Sequence, residues 1–512
     1  MFRLSCKALA ALTGIAAAAL MVTAFPAGQL NAAGTANEKE YNDSILTANP
    51  ISADTQIFGV TADGGDVDFY KITLPSAGCI HLTLSTCEGD GRVFKIFDSN
   101  ENELTSDGMN QNNKVDRNFT KGTYYLKVSP RWGSSGNYSF YYRFESSEES
   151  FVDTGKDNVM GGANYVELNK TYKGQLAHGD EDDWFKFNVP GPGNLIIDFD
   201  SACGIWNQII DTKENPIYKP SSWNNHYGQT RLTIHFTAAG TYYLQLNRTG
   251  DYGNYSFTMA FNNISLSATA SVVCGNAIDL SVENNGDSSV TWKTSDSRIA
   301  NVNEYGRVTG IKAGPATIYA TVDGKTLQCK VQVLYKDVAN SKEYWYTPTN
   351  YLTNWDVVKG YDNQTTFQPQ NNCTRAQMVT FLWRLKGSPK PNSTKTSFKD
   401  VKKSAYYYKA VLWAVEKGIT TGYSKTKFKP NNVCTRAQTV TFLWRMAGKP
   451  KAANVKNKFK DIAKSDYFYN AVLWASGKNI VAGYKNKTFR PQNKCTRAQM
   501  VTFLYKYSQN VK

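Results

Sequence analysis

The sequence CTRAQ occurs at residues 373–377, 434–438 and 495–499, which gives the last third of the chain a period of 61 residues. Other landmarks return with the same period, among them FKDV or FKDI, AVLWA, and a GY pair followed by FKP or FRP. A fixed period of tens of residues means that one small unit packs against copies of itself. The region is therefore predicted to be a repeat module rather than an active-site fold.

Each CTRAQ is predicted to start a helix. Its threonine can act as the N-cap, and its glutamine can reach back to the backbone of that threonine, which makes T-x-x-Q a capping box. Gly387 and Gly448, each followed by a proline two residues later, are predicted to end these helices in the first two copies. AVLWA belongs to a preceding helix, in which Val411, Leu412 and Val415 are predicted core residues. The arginine stays unexplained, because a basic residue in the first turn opposes the helix dipole by ~0.3–1 kcal/mol.

The first copy departs from the other two. YLTNWDVVKGY replaces the AVLWA pattern, and the loop from Gly360 to Phe367 is one residue longer than its counterparts. This copy is predicted to be the degenerate, terminal one.

These landmarks resemble the S-layer homology domain, a family usually found as three tandem copies, here 336–395, 396–456 and 457–512. The resemblance implies a pseudo-threefold helical bundle whose inter-copy grooves bind an anionic secondary cell-wall polysaccharide. An arginine suits that role because its planar fork matches a carboxylate on the polymer. Gln replaces the family's usual Glu in all three copies, which leaves the identity of the polymer open. The polysaccharide-binding residues that the resemblance implies are Arg375, Arg436, Arg497, Asp337, Asp400, Asp461, Gly422 and Gly483, with Gly360 as the turn glycine of the first copy.

Positive charge is concentrated in the same copies. From Lys336 onward the chain has 32 Lys and Arg residues against 8 Asp and Glu, a balance of +24, whereas residues 1–335 have 26 against 35. A concentrated positive field attracts a polyanion. Outside a cell, wall polymers, acidic glycans and lipid head groups are candidates, and nucleic acid is not expected. The alternative is that these lysines only keep a secreted domain soluble.

The chain opens with the features of a secretory signal peptide, placed within residues 1–36. Arg3 and Lys7 precede an apolar run from Ala8 to Ala24. An uncleaved anchor is the alternative, but the run is short for a membrane span, and no transmembrane segment is expected after it. The expected location is outside the cell, at the wall or surface of a Gram-positive-type bacterium.

A second, longer repeat lies upstream. DFYKITLP at 68–75 matches DWFKFNVP at 183–190, and further blocks match at similar offsets. Apolar and polar residues alternate in these blocks, which are rich in aromatic and β-branched residues, so they are predicted to be half-buried strands. We predict two domains of the β-sandwich or jelly-roll type, at 37–148 and 149–262.

EKEYNDSILTANP at 38–50, the DVDFYKITLP stretch and GTYYLKV resemble the bacterial pre-peptidase C-terminal domain, a β-sandwich found in many secreted proteins. The second copy lacks a clear EYNDS opening. Related collagen-binding domains bind calcium near an acidic segment, so the resemblance implies a possible calcium cofactor. A capping or solvated role in turns is the alternative for such residues. The candidate oxygen ligands are Glu40, Asp43, Asp66 and Asp68 in the first copy and Asp180, Asp182 and Asp183 in the second.

Residues 263–335 are predicted to form a third β unit. Their pattern closely resembles the bacterial Ig-like domain of group 2, which usually acts as a spacer or an adhesive stalk. The residues that carry this resemblance are Trp292, Ser295, Asp296, Ala300, Val302, Gly306, Val308, Gly310 and Gly314. The predicted fold class is therefore a multidomain chain of all-β sandwich or jelly-roll domains followed by an α-helical three-repeat bundle.

Eight cysteines follow the signal peptide, too few for a disulfide scaffold in so long a chain. Cys274 with Cys329 is the proposed pair, and Cys79 with Cys87 is a second candidate. The three CTRAQ cysteines are predicted to be small buried hydrophobes, with a three-thiolate metal site as the alternative.

No catalytic motif accompanies these modules. HExxH, GxSxG and the P-loop are missing, and the histidines are predicted to be surface or core residues, namely His81, His178, His226 and His235. We predict a non-catalytic surface protein that is anchored to the wall polysaccharide through its repeats and requires no cofactor.

The alternative function is an adhesin. Residues 37–262 would bind a host matrix protein or glycan, and Trp132, Trp206 and Trp223 are candidate contacts because aromatic faces stack on sugars and anchor interfaces.

Overall fold

The structure is a computed structural model, and it describes residues 34–133, 135–151, 155–220, 226–452 and 455–511. The predicted signal peptide lies outside these residues up to position 33. Strands occupy the chain as far as Leu334 and helices follow from Tyr346, which confirms the predicted fold class. The chain forms two compact units: one holds residues up to Phe187, Ile197–Arg231 and Thr241–Met259, and the other holds Asn188–Ile196, Leu232–Gly240 and the chain from Ala260 on.

The first β-sandwich consists of two five-stranded sheets, with strand orders β1-β3-β10-β5-β8 and β2-β4-β9-β6-β7. In β9, Tyr124, Leu126 and Val128 are buried while Tyr125 and Lys127 point away from the core, as the alternation predicts. The apolar faces of the two sheets form one core. The strands are β1 Gly34–Asn37, β2 Asn49–Pro50, β3 Thr55–Thr61, β4 Asp68–Leu74, β5 Gly78–Cys87, β6 Arg92–Phe97, β7 Glu103–Met109, β8 Lys114–Phe119, β9 Gly122–Pro130 and β10 Gly136–Ser146.

The second upstream copy contains an eight-stranded sheet. It keeps a buried contact of the first copy: the Tyr138 hydroxyl donates to Asp68 at 2.7 Å, and the Tyr255 hydroxyl donates to Asp183 at 2.6 Å. The same contact at equivalent positions supports the predicted internal repeat. The strands are β11 Asn164–Tyr165, β12 Thr171–Leu176, β13 Asp182–Val189, β14 Gly193–Asp211, β15 Pro216–Tyr218, β16 His226–Phe236, β17 Gly240–Arg248 and β18 Gly253–Asn263.

The third β unit has a four-stranded sheet, β19-β25-β24-β21, and a three-stranded sheet, β20-β23-β22. The alternating residues of β24 and β25 fill its core. The strands are β19 Thr269–Val273, β20 Ala277–Asp279, β21 Thr291–Thr294, β22 Ala300–Val302, β23 Arg307–Gly310, β24 Gly314–Val322 and β25 Lys325–Leu334.

The two proposed disulfides are wrong, since all four cysteines are free. Val273 lies opposite Leu334 in the parallel pair of β19 and β25, so Cys274 is six positions beyond the level of Cys329, about 20 Å along the strand. Cys79 and Cys87 lie near the two ends of one strand, β5, about 26 Å apart. A disulfide needs Cα atoms within about 7 Å.

Six helices of the described chain form the repeat bundle. α2 packs against α3, α4 against α5, and α6 against α1, so the last helix closes the bundle on the first. None of the helices in the part of the chain that the structure describes is long and apolar enough to cross a membrane. The helices are α1 Tyr346–Asn354, α2 Arg375–Leu385, α3 Tyr408–Glu416, α4 Arg436–Met446, α5 Tyr469–Gly477 and α6 Arg497–Asn510.

The helix ends largely follow the sequence prediction. Thr374 and Thr435 form complete capping boxes, while Thr496 accepts only from the backbone of Gln499. Val411 and Leu412 are buried, but the prediction for Val415 is wrong: it is 42% exposed. The reason is that α3 leaves the core in its last turn, where residues 415–418 are all exposed.

The extra residue of the first copy joins this copy to the Ig-like unit. Gln364, in the longer loop, accepts from the backbone N–H of Ala313 at 3.0 Å and donates from its side chain to the Ala313 carbonyl at 2.9 Å. Within the first copy, the Lys336 N–H donates to the Thr365 carbonyl at 2.9 Å, next to this contact. Tyr335 follows β25 directly, is fully buried, and packs on Phe367 with ring centres 5.4 Å apart. The longer loop of the first copy therefore forms a contact with the Ig-like unit.

Candidate functional site

The three CTRAQ segments meet in a closed ring of backbone hydrogen bonds. Cys373 N–H donates to the Cys495 carbonyl, Cys434 N–H to that of Cys373, and Cys495 N–H to that of Cys434, each at 2.9 Å. All three cysteine side chains are fully buried, as predicted. Their sulfurs do not form one of the metal-competent groups found among the described residues. The ring defines a pseudo-threefold centre from which α2, α4 and α6 begin.

Each CTRAQ arginine reaches into the next copy. Arg375 Nε donates to the Phe428 carbonyl at 3.0 Å, and its guanidinium lies 4.7 Å from the centre of the Phe428 ring and 5.1 Å from that of Tyr423. The side chains of the three arginines are only 3, 4 and 1% exposed. The other two repeat the arrangement: Arg436 with Phe489 and Tyr484, and Arg497 with Phe367 and Tyr361.

We name each junction by its arginine. An exposed tyrosine lies at each one; for example, Tyr467 is 63% exposed, and its hydroxyl lies within electrostatic range of Tyr423 and Arg375. The Arg375 junction is Arg375, Tyr423, Phe428, Lys429 and Tyr467; the Arg436 junction is Arg436, Tyr484, Phe489, Arg490 and Tyr344; the Arg497 junction is Arg497, Tyr361, Phe367, Gln368 and Tyr406.

The arginines carry buried charge without an acidic partner. Burial lowers the pKa of the Arg375 and Arg436 guanidinium groups, but arginine remains protonated in proteins. Within the described residues neither forms an ion pair, and the charge rests on a carbonyl and on aromatic faces. The Arg375 Nη2 atom is buried without a hydrogen-bond partner in the described chain. An anionic group that reaches this donor would gain a charge-assisted hydrogen bond, but the side chains that cover Arg375 must first move aside.

The three junctions are not equivalent. Lys429 lies over Tyr423 at 4.3 Å and Arg490 over Tyr484 at 4.1 Å, whereas the first copy has Gln368 at this position. Arg497 Nη2 also donates to the Lys359 carbonyl at 2.9 Å, so this arginine has fewer donors left for a ligand. At this position two junctions therefore carry a second cation, and the third carries a neutral side chain.

The aspartates predicted to bind the polymer contact their own copy. Each carboxylate accepts two backbone N–H groups from the F-x-P turn: Asp400, for example, accepts from Phe428 at 2.9 Å and Lys429 at 2.7 Å. Burial by itself would raise the pKa of Asp400, but these two bonds outweigh it and the pKa is lowered. Asp337 and Asp461 make the same pair of bonds at 2.6–2.7 Å. The aspartates thus hold the turn whose carbonyl receives the arginine.

The turn glycines also have a backbone role. Gly422 and Gly483 have φ of 83° and 77°, and a Cβ there would lie 2.5 and 2.3 Å from the rings of Phe398 and Phe459. Only glycine fits this conformation without strain. Gly360 has an ordinary φ, but a Cβ would meet the Thr366 carbonyl at 2.2 Å.

Sequence reasoning missed the junction tyrosines and the second cation. Their signal was present in the period, since GY recurs before FQP, FKP and FRP. What it lacked was the partner, because Arg375 contacts a residue 53 positions further on.

The calcium candidates of the first sandwich are not gathered into one site. Asp68 is buried, and burial, the largest effect, raises its pKa to about 8. Asp66 accepts from the Ala62 N–H at 2.6 Å, while Glu40 and Asp43 are exposed. Among the described residues, no three of these carboxylates lie close enough together to share an ion. In the second copy, Asp182 accepts side-chain bonds from Gln245 and Asn247, Asp183 accepts from Tyr255, and Asp180 is buried.

The aromatic residues of the adhesin alternative differ in exposure. Trp132 is largely exposed and stacks on Arg131 at 4.3 Å, and Trp206 is half-buried in β14. Trp223 lies outside the described residues. No observation favours the adhesin alternative.

Comparison with known families agrees with the geometry of the C-terminal half. The S-layer homology domain family matches residues 334–379, 397–440 and 458–501, and the bacterial Ig-like domain (group 2) family matches residues 260–333.

Several curated proteins are similar over part of the chain. A cellulosome-anchoring protein of Acetivibrio thermocellus is 32% identical over 154 residues, 29% of this chain and 34% of that protein. A middle cell wall protein of Brevibacillus brevis is 34% identical over 101 residues, 19% of this chain and 10% of that protein. An amylopullulanase of Thermoanaerobacterium thermosulfurigenes is 30% identical over 159 residues, 30% of this chain and 8% of the enzyme. The chain thus spans about a third or less of the length of these relatives.

Among solved structures, the pre-peptidase C-terminal domain of a collagenase from Bacillus anthracis matches 19% of this chain and 93% of that domain, at 25% identity and a TM-score of 0.16. This is the kind of domain that the N-terminal sequence resembles, but a TM-score this low is not evidence of a shared fold. The family matches show that the chain carries one bacterial Ig-like domain of group 2 and three S-layer homology domains, and that it is a cell-surface protein.

Proposed function

We propose that the protein is held non-covalently to an anionic polysaccharide of the bacterial cell wall, through the junctions between its S-layer homology domains. The observation that carries this proposal is the buried arginine of each junction, which crosses into the next copy and meets a tyrosine. The relatives named for anchoring and for the cell wall support the same role.

The chemistry of a junction suits an acidic sugar. A guanidinium matches a carboxylate with two parallel hydrogen bonds, and the tyrosine faces offer a surface for the apolar side of a sugar ring. Lys429 and Arg490 add a second cation at two junctions. We infer that the Arg375 and Arg436 junctions bind the polymer more strongly than the Arg497 junction.

The charge of the whole region supports attraction over a longer range. Among the described residues from 336 on, a single ion pair joins Lys359 and Asp356, at 3.1 Å. The remaining excess of positive charge is therefore available to steer a polyanion, an effect that salt weakens.

We also propose that the chain is not itself an enzyme. No catalytic motif occurs in the sequence, and the β modules are proposed to be displayed at the surface rather than to catalyse a reaction. Some relatives are enzymes that match only over part of their length, so an assay of the chain against wall sugars and peptides is the direct check.

Sedimentation of the full chain with purified wall sacculi tests the anchoring proposal. We expect binding that salt weakens and that chemical removal of the secondary polysaccharide abolishes. Replacing both Lys429 and Arg490 with Gln, the residue that the first copy has at this position, is expected to weaken binding by about 1 kcal/mol, or roughly fivefold, per cation lost.

The matched control is Lys425→Gln, which removes an exposed lysine of the second copy outside the junction. It is expected to leave binding nearly unchanged. Sedimentation that persists after removal of the polysaccharide would overturn the proposed ligand, and equal effects of the control and the double variant would overturn the proposed site.

A further inference from the structure

Three ligand-bearing side chains of the first sandwich lie on one outer face of a sheet. Cys79 and His81 are two residues apart on β5, so both point to the same side. Asp116, on β8, lies directly opposite His81, and Glu145, on β10, lies directly opposite Cys79. The register of three neighbouring strands therefore brings a thiol, an imidazole and two carboxylates together.

The distances are close to those of a metal centre. His81 Nδ1 lies 2.6 Å from Asp116 Oδ1 and 3.9 Å from Cys79 Sγ, and the three ligand atoms all lie within 4.8 Å of one another. Zinc bonds to nitrogen and oxygen of about 2.0–2.2 Å and to sulfur of about 2.3 Å place ligand atoms roughly 3–4 Å apart in a tetrahedron. A cation could thus enter with small shifts of side chains. This is the one such group among the residues that the structure describes.

Glu145 completes the arrangement from outside. Its Oε2 atom lies 3.6 Å from His81 Nε2, which is buried and makes no hydrogen bond within the described chain. A histidine that binds a metal through one ring nitrogen usually donates its other N–H to a carboxylate, which fixes the ring. Nδ1 is the atom that faces Cys79 and Asp116, and Nε2 is the atom that faces Glu145. The two nitrogens therefore have the two roles that metal binding requires.

We propose that Cys79, His81 and Asp116 form a binding site for a divalent cation of the zinc type, with Glu145 as a positioning residue for His81. Mixed sulfur, nitrogen and oxygen ligands favour zinc over calcium or magnesium, which prefer oxygen alone. Asp116 is 65% exposed, so the fourth coordination position faces water. The site is separate from the inter-copy junctions and uses none of the carboxylates considered for calcium.

Charges around the site set its pH dependence. Arg143 lies opposite His81 and donates to Glu145 at 2.5 Å, which partly offsets the negative charge. Since the thiolate is the ligand, binding must release its proton.

Cobalt(II) is the probe for this site, because it takes zinc positions and absorbs light when a thiolate binds it. The reduced full chain, titrated with Co²⁺, is expected to show a sulfur-to-metal charge-transfer band that saturates at one ion per chain and that Zn²⁺ removes. Cys79→Ser is expected to abolish the band. Cys87→Ser is the matched control, because Cys87 is the other half-buried cysteine of β5 and accepts a bond from Arg92 at 3.2 Å.

Two exposed carboxylates keep the test independent of folding. Asp116→Asn is expected to lower Co²⁺ affinity at least tenfold, and Glu145→Gln to lower it about 10- to 100-fold with the band retained. The absence of a thiolate band in the wild-type chain would overturn the proposal. So would a band that survives in Cys79→Ser, or affinities in both carboxylate variants equal to that of the wild type.

Discussion

The CTRAQ arginines stand at the same place in three copies but have different numbers of hydrogen bonds. Arg375 donates to one carbonyl and keeps a buried, unfilled Nη2, while Arg497 donates to the carbonyls of both Phe367 and Lys359. Arg375→Lys is therefore expected to weaken wall binding about tenfold with a small loss of stability, because it removes the fork that a carboxylate needs. Arg497→Lys is expected to lower the free energy of unfolding by about 1.5–3 kcal/mol more than Arg375→Lys does.

Sedimentation and urea unfolding of the two variants measure the two effects side by side. The same loss of binding and of stability in both would mean that the junctions are equivalent. The arginine itself was identifiable from the sequence, because helix capping explains its neighbours and not the arginine. The hydrogen bond from Arg497 to the Lys359 carbonyl was not predictable, because it joins residues 138 positions apart.

Asp68 predicts a pH dependence for the first sandwich. Burial is the main reason why its pKa is raised to about 8, from an ordinary value near 3.8. The folded state therefore holds this proton more tightly than the unfolded state, and stability is expected to fall as the pH rises from about 4 to about 8, with no further change above that range. Asp68→Asn, which keeps an oxygen acceptor for Tyr138, is expected to reduce this slope, and the part that remains is expected to come from Glu38, whose pKa burial also raises. Thermal unfolding of both proteins between pH 4 and pH 9 measures it, and an unchanged slope in the variant would assign it to other groups.

The capping boxes of the repeat helices allow a comparison between copies. In α4, Gln438 Oε1 accepts from the Thr435 N–H at 3.2 Å, whereas in α6 the Oε1 atom of Gln499 is buried without a partner in the described chain. Gln438→Ala is therefore expected to lower the free energy of unfolding by about 1 kcal/mol, and Gln499→Ala by less. Urea unfolding of the two variants gives the difference, and a larger loss for Gln499→Ala would contradict it.

Elements were predictable where their cause is local. The helix starts at Thr374 and Thr435 and the turns at Gly387 and Gly448 follow from neighbouring residues, and the structure has them, with both glycines at positive φ. The prediction of a disulfide between Cys274 and Cys329 was wrong because the offset between β19 and β25 depends on a parallel pairing of distant segments, which cysteine spacing does not contain. The prediction that Val415 is a core residue was wrong because the point at which α3 leaves the core depends on the surrounding copies.

The Ig-like domain and the S-layer homology domains share one hydrophobic core. The cluster of buried residues continues from β24 and β25 through Tyr335 into the helices, and the Gln364 carbonyl in the loop of the first copy accepts from the Ala313 N–H of the Ig-like domain. A spacer joined by a flexible linker would have left a polar break at this point. The degenerate appearance of the first copy in sequence was thus the sign of an attachment, which a comparison of the copies alone could not reveal.

This shared core predicts that the Ig-like domain and the repeats unfold together. Hydrogen exchange of the intact chain, measured by mass spectrometry, is expected to give the same opening free energy for β25 and for α1. Tyr335→Ala is expected to lower the free energy of unfolding by about 3–5 kcal/mol. It is also expected to make the opening free energies of β25 and α1 differ, because it removes the ring that links the cores at Phe367.

Phe398→Ala is the matched control, since Phe398 packs on Phe428 at the equivalent place in the second copy, away from the Ig-like domain, with ring centres 5.7 Å apart. It is expected to lower both opening free energies equally. Different opening free energies for the most protected amides of β25 and α1 in the wild-type chain would show that the two domains unfold separately, because those amides report the largest opening of each element.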